Sequence, residues 1–82
     1  MNDALLESFL KEDGDESVRA LLLHSLVEHR ETDRIRHFSF NRFNVLLDFE
    51  DQHAVIDDEL NPSDGTCRIS LETFKKRLEG TP

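Results

Sequence analysis

The chain contains no tryptophan or tyrosine, one cysteine, two prolines and three glycines. Each shortage removes a class of function. A lone Cys67 cannot form an internal disulfide, so the framework that staples many small secreted domains is excluded and a reducing cytosol is expected. Gly14, Gly65 and Gly80 are scattered, and a phosphate site needs clustered glycines before a helix N-terminus. Without Trp or Tyr, which dominate many binding hot spots, any interface must be anchored by other side chains. No apolar run approaches the roughly 18 residues of a transmembrane helix. The Met1-Asn2-Asp3 start lacks the basic, then apolar, layout of a signal peptide, so the expectation is a soluble cytoplasmic protein with no membrane contact.

The most informative shortage is local. From Phe43 to Cys67 there are seven acidic side chains and no Lys or Arg, although the same stretch holds the most strand-like apolar run. Over all 82 residues, 18 acidic and 10 basic side chains give a formal charge of −8. That length accommodates one domain, residues 1–82, with one small core. A composition 37% hydrophobic and 34% charged supports folding without excess. Domains of this size commonly gain stability from a disulfide, a metal or a partner subunit.

Apolar spacing gives the elements. Asn2 or Asp3 caps a short helix carrying Leu5, Leu6, Phe9 and Leu10 on one side. Asp13-Gly14-Asp15 is turn chemistry, with Asp15 placed to accept amides that open a second helix running to about Arg30. Its apolar face, Val18 to Val27, is wider than one stripe, so it covers a sheet or meets a second copy of the chain. Charges of mixed sign between Glu28 and Arg42 read as a connection into the sheet. Phe38 and Phe40 then lie on one parity and Phe43, Val45, Leu47 and Phe49 on the other, so a bulge or tight bend at Asn41-Arg42 is required to keep all six on the core side. Glu50-Asp51-Gln52 is a hairpin loop, Ala54 to Ile56 the return strand and Asn61 to Gly65 a turn. Cys67, Ile69 and Leu71 form the last strand, and Ser70 caps a final helix to Glu79. The fold class is α+β: a small antiparallel sheet of three to four strands covered by two N-terminal helices and one C-terminal helix.

Candidate chemistry is sparse. The four histidines, His24, His29, His37 and His53, form no HExxH pattern, and His24 and His29 are five apart and therefore on different helix faces. Neither Gly14 nor Gly65 is set in a calcium-loop pattern. If the acidic ribbon folds at Gln52, Asp48 or Glu50 approaches Asp57, and carboxylates paired there repel unless a cation or a proton intervenes. Cys67, alternating with Ile69 and Leu71, reads as core. Arg30, Arg34, Arg36 and Arg42 cluster near Phe38 and Phe40, but Glu28, Glu31 and Asp33 dilute them and the overall charge opposes a polyanion. Neither catalysis nor a cofactor nor nucleic acid is expected.

What remains is an acidic protein-binding module. The expected site is Asp48, Glu50, Asp51, Asp57, Asp58 and Glu59, flanked by Phe49, Val55 or Leu60, facing a protein partner with a basic surface. Inhibition of such a partner, as immunity proteins, antitoxins and nucleic-acid mimics achieve, fits that pattern, and the second half looks like small bacterial proteins of that kind. The alternatives are a homo-oligomeric assembly subunit, joined through the Val18 to Val27 helix as a homodimer, and a metal-binding domain.

Overall fold

The expected periodicities become three helices and four strands in a computed structural model that describes residues 3–28 and 34–80. In chain order these are α1 (Asp3–Glu12), α2 (Glu16–Glu28), β1 (Ile35–Ser39), β2 (Phe43–Asp48), β3 (His53–Asp58), β4 (Thr66–Ser70) and α3 (Leu71–Leu78). A short 3-10 turn, Pro62–Asp64, precedes β4. The expected cap at Asn2, the helix extension through His29 and Arg30, and the charges Glu31 and Asp33 lie outside the described residues.

The strands form an antiparallel meander in the order β1-β2-β3-β4. Register explains the parity change at Asn41-Arg42. Phe38 lies opposite Val45, and Phe40 donates its N–H to the Phe43 carbonyl at 2.9 Å, so these two residues are the tip of a hairpin. Pairing across a two-residue tip matches even positions on β1 with odd positions on β2, which puts all six apolar residues on one face. The bend is therefore as required, but the expectation of a mere connection before Phe38 is corrected: β1 begins at Ile35 because its backbone pairs with β2 as far as Asp48.

Among the described residues, helices cover only that face. Phe43, Val45 and Leu47 of β2, Ala54 and Ile56 of β3 and Cys67 and Ile69 of β4 are buried there against Leu5, Leu6 and Phe9 of α1 and Leu71, Phe74 and Leu78 of α3. Phe9 is the hub, with ring centres 5.8 Å from Phe43, 6.1 Å from Phe40 and 6.3 Å from Phe74. In a chain without Trp or Tyr, phenylalanine supplies the aromatic packing. α2 lies against α3, with Leu22 and Ser25 buried. Its Arg19 donates from Nε to the Gly14 carbonyl and from Nη1 to the Leu78 carbonyl, tying the α1–α2 turn to the end of α3.

Local chemistry sets the ends of these elements. Asp15 accepts the Val18 amide at 2.9 Å and Ser70 accepts the Thr73 amide at 3.1 Å, the capping roles expected of both. Gly65 holds φ +79 and ψ −149, a conformation open essentially to glycine alone.

Candidate interaction surface

The six expected partner-binding carboxylates do not form one patch. Asp48, Glu50 and Asp51 lie at the β2–β3 loop, whereas Asp57, Asp58 and Glu59 lie at the other end of β3. Asp57 pairs with Asn44, four residues from Asp48 along β2, which separates the two groups by about 13 Å at the usual strand rise.

Their roles also differ. Asp48 Oδ1 accepts the amides of Glu50 and Asp51 at 3.1 and 3.0 Å, closing the hairpin loop. Asp57 accepts the Asn44 side-chain amide at 3.1 Å. The expected approach of Asp48 or Glu50 to Asp57 is thus replaced by pairs of unlike chemistry, Asp48 with His53 and Asp57 with Asn44. Glu50, Asp51 and Glu59 are exposed, and Asp51 lies 3.8 Å from Arg68.

Asp58 is a correction to the expected site. It is 1% exposed because strand alternation carries it to the same face as Ala54 and Ile56. Arg42 donates to its Oδ2 from Nε at 3.0 Å and Nη2 at 2.8 Å, while the Leu60 amide donates to Oδ1 at 3.0 Å and the Asn61 side chain to Oδ2 at 3.3 Å. The Arg42 bonds hold the Asp58 carboxyl below the usual carboxylate range against the opposing effect of desolvation, with Asn61 and the Leu60 amide assisting. The backbone at the same hairpin is held by Asp13, whose Oδ2 accepts the amides of Arg42 at 2.9 Å and Phe43 at 2.8 Å. Asp13, Arg42 and Asp58 therefore join α1, the β1–β2 tip and the end of β3. Phe49, expected as part of an apolar rim, is likewise inside the core, whereas Leu60 is exposed.

The face of the sheet away from the helices gives a more coherent surface. Register arranges it as three rows about 7 Å apart. The outer rows are Ile35-Asp48-His53-Ser70 and Ser39-Asn44-Asp57-Thr66, and the middle row is His37-Leu46-Val55-Arg68. Leu46 and Val55, half-buried by their neighbours, make an apolar bar between His37 and Arg68, with a carboxylate in the row on either side. Ile35, 56% exposed, extends the apolar area at one corner.

Other features are weaker. A groove of about 350 Å³ is lined by Glu12, Asp13, Asp15, Val18, Ser39, Phe40 and Asn41, but Asp13 and Asp15 already accept backbone amides. Among the described residues no group of three or more His, Cys, Asp or Glu is arranged to hold a metal ion. The thiol of Cys67 is buried in the core. On α2 the excess apolar flank narrows to Leu21 and Val27, 45% and 64% exposed. Among the described residues no helix is long and apolar enough to cross a membrane. No family model, curated protein or solved structure matches this chain.

Proposed function

We propose that this chain is a protein-binding module, not an enzyme, and that it docks a partner with a basic surface on the outer face of its sheet, in the manner of a small inhibitor. The observation that carries the reading is the Leu46-Val55 bar, left uncovered by the helices and bordered by Asp48 and Asp57. An apolar centre supplies desolvation on contact, and the bordering carboxylates set selectivity and association rate more than affinity. Glu50 and Asp51 extend the negative edge beyond Asp48. Asp58 takes no part, since its carboxylate is occupied by Arg42.

The test is affinity capture from the source cell with three forms of the protein: the unaltered chain, Leu46→Lys/Val55→Lys, and Leu21→Lys/Val27→Lys on α2 as a control, each checked for folding by circular dichroism. The expected result is one partner retained by the first and third forms, lost by the second, and released as salt rises towards about 500 mM. A partner retained equally by all three forms, or no partner at low salt, overturns the reading.

A further inference from the structure

The free edge of β1 is basic, in contrast to the acidic stretch that follows it from Phe43 to Cys67. Phe40 donates to Phe43, and Phe49 donates to the Arg34 carbonyl at 2.8 Å, so the even-numbered residues of this segment turn their backbone groups towards β2. In an antiparallel ladder the intervening residues point the other way. Ile35, His37 and Ser39 therefore present their N–H and C=O groups along the sheet edge, and among the described residues β1 has no strand on that side. Ile35, Arg36, His37 and Ser39 are all exposed.

Charge identifies the occupant. From Arg34 to Arg42 there are three arginines and a histidine with no acidic residue, in a chain of net charge −8. Arg42 is committed to Asp58, but among the described residues neither Arg34 nor Arg36 has a carboxylate partner. Arg34, Arg36 and Phe38 alternate along β1, on the side of the sheet that carries the core, and Phe38 is half-buried there.

We propose that the β1 edge accepts an extended acidic segment of a partner protein as a fifth, antiparallel strand, with carboxylates against Arg34 and Arg36 and an apolar residue against Phe38. Backbone bonds to Ile35, His37 and Ser39 supply the docking, and alternate side chains supply selectivity. A second copy of the chain is a poorer match, because antiparallel β1 pairing centred on His37 sets Arg36 against Phe38 and leaves the guanidiniums without carboxylates. Single-stranded nucleic acid is poorer too. Phe38 and Phe40 stack on each other with ring centres 6.2 Å apart, and Phe40 packs on Phe9, so they offer no open platform for bases.

The probe is the fluorescein-labelled peptide Thr-Val-Thr-Glu-Thr-Glu-Thr, whose threonines would pair with the outward residues of β1. Polarisation should rise to saturation with the unaltered protein, and Arg36→Glu should weaken binding by about tenfold or more. Arg36→Gln should weaken it less, and the peptide N-methylated at its threonines should not bind. Four results overturn the proposal: no binding at about 1 mM protein; equal binding of the N-methylated peptide, which leaves only charge attraction; equal binding of a peptide with Lys for Glu; or displacement by a short oligouridine, which makes the edge a nucleic-acid strip. A dimer in sedimentation that His37→Pro dissociates and the peptide does not displace assigns the edge to a second copy instead, and also overturns it. The edge adjoins the Leu46-Val55 bar only through His37, which lies opposite Leu46, so the uncharged change Val55→Gln, two strands in from the edge, should leave peptide binding unchanged even if the outer face binds nothing.

Discussion

A buried carboxylate is costly unless its partners repay the lost hydration, and Asp58 shows how that is done here. Two Arg42 nitrogens, an Asn61 amide and the Leu60 N–H surround it, while the Arg42 guanidinium lies 5.1 Å from the centre of the Phe43 ring. Among the described residues no buried side-chain nitrogen or oxygen lacks a hydrogen-bond partner. Since Asp58 titrates below its unfolded value of about 4, its contribution is present above that value and is lost as pH falls through the lower, folded one. Asp58→Asn should therefore lower the urea midpoint at neutral pH, and the gap from the unaltered protein should narrow below about pH 4 and then close. A gap that persists undiminished in acid would mean that the carboxylate's charge is not what stabilises the fold. The inward position of Asp58 was legible in principle, since Ala54 and Ile56 already set the parity of β3. Its cation was not, because Arg42 is remote in sequence and meets Asp58 only through the β2–β3 register.

At the scale of elements, the β1–β2 hairpin is the instructive case. Two-residue hairpins favour Asn-Gly or Asp-Gly, and Asn41-Arg42 carries no such signal. Asp13, at the end of α1, takes the amides of Arg42 and Phe43 instead, so the cue for this turn lies far away in the chain. Caps at Asp15 and Ser70 and the turn at Gly65 were legible because their partners are local. The closeness of α1 to its own turn also depends on Gly14. A Cβ there would stand 2.6 Å from the Leu10 carbonyl oxygen and 2.8 Å from its Cα, both backbone atoms that cannot rotate away. Gly14→Ala should cost about 1–3 kcal/mol in urea denaturation, the range for forced backbone shifts. Because the shift moves Asp13, the Phe43 amide should also exchange faster with solvent in this variant. Loss of stability with unchanged exchange at Phe43 would uncouple the α1 turn from the hairpin.

For the whole molecule the question is whether its charges hold it together or push it apart. The Arg68–Asp51 and Lys76–Glu72 pairs span 3.8 and 3.6 Å on exposed side chains, and Arg77–Glu7 is also open to solvent. Exposed pairs of this kind contribute about 0–1 kcal/mol each and weaken in salt. Arg42–Asp58 is sealed on the carboxylate side, so mobile ions reach it poorly. Against these stands a formal charge of −8 on 82 residues, a self-repulsion spread over the surface that salt screens throughout. Repulsion should win. Raising sodium chloride from about 20 to about 500 mM shortens the screening length severalfold. At neutral pH this should raise the thermal midpoint by a few degrees, on the order of 1 kcal/mol at about 4–8 °C per kcal/mol. Near pH 4.8, the isoelectric point of the sequence, the same change should have little effect. A midpoint that falls with salt at neutral pH would place the exposed pairs, and not the acidic excess, in control of stability.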